Sequence, residues 1–462
     1  MTPLTLLLLW LLLLAVAAHT LRRLPWLAGL MVAGGLGLLA WQLAAAGDLS
    51  SWFGRSVEVE GVSALLGYSF QFTGNARGAF FLFLVWGILF AGVGGLAGAD
   101  RVLYPALPLI LAALLLALSA RPLLWAPLWL LVAALLMAFP AQGASPRLAR
   151  PALRTLTAPT LAMPFFLFAA WVLDQPLLAG EDPALTQAAW RALVIGVGLL
   201  LTPAPLHGWI TALGDHAPPF AAALLVGLWQ AAAYLFIRQV LFLYPALADY
   251  ADPARWLLWL AVVQMGWAGV FGLGSQRLRQ FWGYLLLWEY GAFLLFWGLS
   301  GEFGTPSLVW LLLARPLILV LIAAGLHTLG QRFGEQATLD EMAGAAERLP
   351  LATISVVAGS LFLLGWPLGA LAPIRLTTLR LAEATYSGFF LAAMLSLLLL
   401  ILALARAVHA LTRAPTDPQL QREPAWQGWL LWPLLLAGLL LSLNPILLEP
   451  LSLRLTAWLT QL

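Results

Sequence analysis

Apolar runs of about twenty residues follow one another along nearly the whole chain. A run of that length is what a helix needs to cross the hydrocarbon core of a bilayer. Fourteen such runs can be counted in the 462 residues, near 1–19, 25–46, 78–97, 103–119, 122–140, 157–179, 187–206, 217–245, 255–274, 280–299, 305–329, 351–374, 383–411 and 426–444. Charged residues make up 9% of the chain and the mean hydropathy is +0.93. Soluble domains carry roughly a quarter charged residues, so the composition excludes a soluble globular protein. The expected fold class is all-α and polytopic, with about 14 transmembrane helices. The first run is long enough to span and reads as a helix rather than a leader. The tail 445–462 reads as interfacial.

The connections leave no room for a soluble domain. The longest, 47–77, carries the alternation Val57-Glu58-Val59-Glu60, which predicts a small hairpin. The segment 332–350 holds most of the acidic loop charge and is expected to form a surface helix. Cysteine is absent, which excludes disulfides and thiolate metal sites. All 23 basic residues are arginine. Arginine stays protonated in proteins, whereas a buried lysine can give up its proton, so no mechanism here can use a titrating lysine.

Arginine placement predicts the orientation. With both termini outside, Arg22, Arg23, Arg101, Arg147, Arg150, Arg154, Arg277, Arg279, Arg332, Arg348, Arg413 and Arg422 fall in inner loops. Only Arg55, Arg77, Arg121, Arg255, Arg380 and Arg454 fall in outer ones. Positive charge concentrates on the inner side of membrane proteins. A multi-pass protein of a bacterial inner membrane is the expectation. The basic balance then reflects orientation, and no nucleic-acid partner is implied.

Two spans are interrupted. Span 7 breaks at Pro203 and Pro205, with His207, Asp215 and His216 just after; span 12 breaks over 365–375, at Pro367 and Pro373. Proline removes a backbone donor and clashes with the preceding turn. In lipid the freed carbonyls need protein or water partners. The breaks lie five spans apart, so the two helices run in opposite directions, a pattern pointing to an inverted repeat with an ion pathway at midplane. The competing reading is ordinary helix packing, since proline is common in membrane helices.

Three stretches carry a resemblance. Pro205-Leu206-His207-Gly208-Trp209, Asp215-His216-Ala217-Pro218, then Ala223 to Gly227 and Ala233-Tyr234 with Arg238, are similar to the run PLHxWLPDAHxxAPxxxSxLLAG and the helix KxGAYxxxR that follows it. GVFGLGSQRLRQFWGYLLLWEYG, 269–291, resembles GxxxALxQxDLKRLLAYSSxSHxG. The stretch 349–376 resembles a P…SLxGxPPxxGFxGKF run. These motifs belong to the antiporter-like membrane subunits of respiratory complex I, a family that includes Mrp-type cation/proton antiporters and membrane-bound hydrogenase subunits. Departures are an insertion or shift around 210–214 and a missing serine after the proline pair.

The resemblance implies an N-terminal segment 1–97, two inverted five-helix repeats, 98–250 (spans 4–8) and 251–411 (spans 9–13), and a C-terminal helix and tail 412–462. It implies discontinuous helices 7 and 12 and proton translocation along buried lysines, glutamates and histidines. It implies no redox cofactor in this chain; FMN, iron–sulfur clusters and quinone belong to partner subunits. The partners it implies are the lipid bilayer and the other membrane subunits of a complex I-like assembly. Carried over position by position, the lysine of span 7 falls on Leu200 and that of span 8 on Gln230. The span 5 glutamate has no counterpart. In the second half the histidine of SHxG falls on Glu289 and the charged residue of helix 12 on Arg375. The histidine of span 11 falls on His327, with Arg315 near another polar position.

Charges inside a bilayer are costly and mark function by default, which makes Glu289 the leading candidate. It either relays protons or forms an ion pair with Arg315, Arg279 or Arg375. His207 and His216 are candidates for proton uptake, or they satisfy the carbonyls freed at the break. Gln230 can orient water but carries no charge. Asp174 and Arg191 read as a peripheral pair, and His409 as interfacial. Gly92 to Gly95 reads as small-residue packing. Two alternatives to a proton-translocating or degenerate scaffold subunit are a cation/proton antiporter or inorganic-carbon transporter module and a multispanning lipid-linked transferase.

Overall fold

The computed structural model describes residues 3–45, 49–52, 55–58, 61–65, 68–99, 101–143, 150–174, 183–250, 252–301, 305–414 and 425–460. The described residues are overwhelmingly helical. The helices are α1 (Pro3–Thr20), α2 (Pro25–Ala45), α3 (Gly74–Leu96), α4 (Leu103–Ser119), α5 (Ala126–Gln142) and α6 (Arg150–Leu173). Then come α7 (Pro183–Leu200), α8 (Gly208–His216), α9 (Pro219–Leu243), α10 (Pro253–Leu273), α11 (Leu278–Ser300) and α12 (Thr305–Phe333). The last five are α13 (Pro350–Leu364), α14 (Ala372–Thr385), α15 (Ser387–Leu411), α16 (Ala425–Leu443) and α17 (Glu449–Thr460). Among the described residues nine helices are long and apolar enough to cross a membrane, or ten if the bent pair at the C-terminal end is one span. The protein is an all-α, multi-pass membrane protein.

Both interruptions are real breaks in helix. The first separates α7 from α8, the second α13 from α14. In the first, Thr202 takes φ 53° and Pro203 and Pro205 follow it, so the helical ladder cannot continue. In the second, Gly365 sits at φ 95° and closes α13 by giving its N–H to Leu361 and Phe362 carbonyls, a left-handed helix stop that suits glycine. Pro373 then falls in the first turn of α14, where its missing N–H costs nothing.

Two sequence expectations change around α12 to α14. Span 12 does not end near 374: its second half is α14, which runs to Thr385, and the next span starts at Ser387. The segment 332–350 is not a surface helix. Gly334, at φ 93°, ends α12, and turns follow up to a four-residue helix, Ala345–Arg348. This segment folds onto the start of α11 instead, through a bridge between Arg277 and Thr338 and a hydrogen bond from Leu339 N–H to the Gln276 carbonyl (2.9 Å).

The connection after α2 forms one short sheet and, with a strand that follows α4, part of a second. β1 (Leu49–Trp52) pairs antiparallel with β2 (Arg55–Glu58), with Leu49 opposite Glu58. β3 (Gly61–Leu65), β4 (Tyr68–Phe72) and β5 (Ala120–Arg121) form the second. Of the expected hairpin, Val57 and Glu58 lie in β2, while 59–60 fall outside the described residues. α17 turns 97° away from α16 and packs on α3, where the Trp458 ring lies under Arg77 (4.5 Å) and Arg454 (5.0 Å). Arg77, expected in a loop, is therefore buried at the start of α3, and its Nη2 donates to the Leu43 carbonyl (2.6 Å).

Burial orders the bundle. The apolar window of α9 is wholly buried and that of α12 89% buried, against 28% for α7 and α15. α9 and α12 form the centre, while α7 and α15 present most of their surface outward.

Candidate functional site: a buried charge cluster

The centre of the bundle holds four polar side chains from four helices: Gln230 (α9), Glu289 (α11), Arg315 (α12) and Arg375 (α14). All are almost completely buried. Glu289 Oε2 accepts from Arg315 Nη1 at 2.9 Å, and its Oε1 accepts from Arg375 Nη2 at 3.1 Å. Arg315 Nη1 also donates to Gln230 Oε1, while Gln230 Nε2 donates to the Tyr290 carbonyl (3.2 Å). Arg315 is planar and charged, so it bridges carboxylate and amide at once.

Aromatic rings complete the cluster. Arg315 lies 5.0 Å from the Trp86 ring and 5.8 Å from Phe293; Arg375 lies 5.3 Å from Trp288. A cation over an aromatic face is attracted by the ring quadrupole, most strongly when desolvated. Two guanidinium groups face one carboxylate, so the cluster carries a net positive charge that these rings help to offset. Trp86 reaches Arg315 only because Gly227 lacks a side chain: a Cβ there would overlap the indole. Arg375 also serves the second break, since its Nε donates to the Leu363 carbonyl (3.4 Å).

The first break is satisfied by groups that the sequence did not single out. Gln264 Nε2 donates to the Leu201 (3.3 Å) and Thr202 (3.0 Å) carbonyls, and Trp229 Nε1 to the Leu200 carbonyl (3.4 Å). The expectation that His207 or His216 caps these carbonyls is corrected. His207 is buried with its ring edge-on to Trp267 (5.2 Å). His216 lies at the far end of α8 with its Nδ1 3.6 Å from Asp215.

Asp215, His216 and His327 are not part of the central cluster. Asp215 accepts from Arg277 Nη2 at 2.7 Å, and Arg277 also donates to Gln336. Arg279 donates to the Ala217 carbonyl and lies 3.8 Å from Glu335, so it is not the partner of Glu289. His327 Nε2 lies 3.2 Å from the Ala97 carbonyl and 2.9 Å from Gln331, with its ring against Phe220. Arg277 and Arg279 thus join the end of α8 and the start of α9 to residues 335–336, an arrangement that only the folded chain reveals. The expected Asp174–Arg191 pair does not form; Asp174 accepts from the Tyr244 hydroxyl (3.0 Å). Burial pushes the Asp174 carboxyl up from its ordinary value, and the Tyr244 hydrogen bond opposes this. Among the described residues no three His, Asp or Glu side chains come together as a metal site.

The fold, an all-α multi-pass bundle with two broken helices, is shared by chains of several solved membrane complexes. The comparisons with known proteins agree. One chain of respiratory complex I from Thermus thermophilus superposes with a TM-score of 0.69 at 19% identity, covering 96% of this chain and 98% of that one. A chain of the archaeal membrane-bound sulfane sulfur reductase gives 0.77 at 15% identity, covering 99% and 98%. A chain of the Mrp complex from Dietzia sp. DQ12-45-1b gives 0.73 at 17% identity, covering 99% and 98%. In sequence, the chain is similar to NADH-quinone oxidoreductase subunit N of Caulobacter sp. (strain K31), 26% identical over 176 residues, 38% of this chain. That match spans 36% of the curated relative's length. No family model matches the chain.

Proposed function

We propose that the chain is an antiporter-like membrane subunit of a complex I-type NADH:quinone oxidoreductase or a related energy-converting membrane complex. We further propose that its central axis is an electrostatic staple and not a proton relay. In this reading the segments 98–250 and 251–411 are the two inverted repeats and fourteen helices span the membrane. Both termini lie on the outer side of a bacterial inner membrane, and FMN, iron–sulfur clusters and quinone reside in partner subunits.

One observation carries the second claim: both oxygens of Glu289 are occupied by guanidinium groups. A proton delivered to Glu289 would leave two buried positive charges facing each other without a counter-charge, at a cost of several kcal/mol. Neither arginine can pass a proton on. The two positions that the resemblance assigns to lysines hold Leu200, which is buried and apolar, and Gln230, which has no proton to exchange, and His327 lies outside the cluster, against the Ala97 carbonyl and Gln331. The cluster ties α9, α11, α12 and α14 together, which supports a subunit that keeps the fold and joins the assembly.

Purification from native membranes in mild detergent, with mass spectrometry of what accompanies the chain, tests the assignment. Subunits with iron–sulfur or quinone-reactive sequences are expected. A single partner without redox centres would favour a transporter module instead, and a chain that runs alone would contradict the proposal.

A further inference from the structure

A groove of about 490 Å³ opens on the flank of the bundle between α6 and α7. Pro164, Phe165 and Phe168 form one wall; Gln187, Arg191 and Ile195 stand on the other, with alanines between them. From Ala184 to Ile195 it follows α7 for about 16 Å at the helical rise. The volume is in the range of sites that bury a small molecule. α7 presents most of its surface outward, so the groove opens on the outside of the bundle, the side that a bilayer covers in a multi-pass protein.

Arg191 is exposed in this groove and pairs with no acid or carbonyl among the described residues. An unpaired guanidinium on a lipid-facing helix is costly unless it reaches an anion or water. Its depth is marked by its neighbours. Trp190 stacks on Tyr250 (5.9 Å) and meets Tyr244 edge-on (6.1 Å), and the Tyr244 hydroxyl bonds Asp174 at the end of α6. Aromatic residues with polar tips gather at the level of lipid headgroups. Arginine side chains stretch along apolar surface to place their charge at that level.

We propose that this groove binds one anionic phospholipid, with its phosphate on Arg191 and an acyl chain along Phe165, Phe168 and Ile195. An exposed cation within a groove otherwise lined by apolar residues and Gln187 matches an amphiphile with an anionic head. The proposal requires only that the chain spans a bilayer, and it stands apart from the proton question.

The test is native mass spectrometry of the full-length protein released from nanodiscs containing equal parts phosphatidylglycerol and phosphatidylcholine. Wild type retains phosphatidylglycerol about tenfold over phosphatidylcholine, a preference worth about 1.4 kcal/mol. Arg191→Gln brings the two lipids to parity, Arg191→Lys keeps most of the preference, and Ala188→Phe, which fills the trough without changing charge, lowers retention of both. Thermal melting of each variant separates loss of lipid from loss of fold. Equal retention by wild type and Arg191→Gln overturns the proposal. So does a co-purifying protein that Arg191→Gln releases while the lipid ratio stays fixed, because the occupant would then be a partner's carboxylate.

Discussion

Glu289 is reached by two guanidinium groups from different helices, and this sets an order among substitutions. Removing the carboxylate leaves Arg315 and Arg375 buried and unpaired, whereas removing Arg375 leaves a neutral Glu289–Arg315 pair. Breaking a buried pair by deleting one partner costs about 3–5 kcal/mol, most of it from the stranded charge. Glu289→Gln is therefore expected to lower the melting temperature in detergent clearly more than Arg375→Gln. Tryptophan fluorescence is a suitable probe in a chain with 23 tryptophans. Equal losses would mean that the cluster is not governed by charge balance. Glu289 and Arg315 were legible in the sequence because a charge in an apolar run is conspicuous, whereas Arg375, just past the run 351–374, was marked by the resemblance. What stayed hidden was pairing: Gln264 and Trp229, which satisfy the first break, look like ordinary residues of apolar helices until the chain is folded.

At the scale of elements, proline pairs located both breaks, but apolar length misplaced the end of the second. α14 reads APIRLTTLRLAEAT, and only Ile374, Arg375, Thr378 and Ala382 are buried on it. A helix that polar fails any search for apolar runs, although it carries a central charge. The surface helix expected over 332–350 failed for a complementary reason, since a positive-φ glycine and pairing to the 276–277 loop outweigh local helix propensity. Gly365 couples the second break to the cluster: it sits at φ 95°, and a Cβ on it would come within 2.7 Å of Arg375 Cβ and Cγ. Gly365→Ala combines a left-handed backbone penalty of about 1–2 kcal/mol with a shift of Arg375. We expect it to lower thermal stability by at least that amount. Glycine-to-alanine changes at Gly208 or Gly388, where a Cβ meets nothing within 4 Å, are the controls, and equal effects at all three sites would refute the coupling.

Over the whole molecule, composition alone declared a multi-pass helical protein, and ordered motifs declared the fold. Apolar length reports a bilayer, and broken helices report a cavity or a buried polar axis. Whether that axis moves protons could not be read from residue types, because Glu289 suits a relay as well as an ion pair until its neighbours are known. In the proposed function the charge cluster holds helices together without carrying protons. Buried ion clusters of this kind can often be replaced by apolar residues of similar volume at little cost. The most direct measurement is therefore proton translocation per electron in the reconstituted parent complex carrying Glu289→Met, Arg315→Met and Arg375→Met together. A ratio indistinguishable from wild type is the expected result. An assembled complex, active in electron transfer, whose ratio falls would contradict the claim and return Glu289 to the proton path.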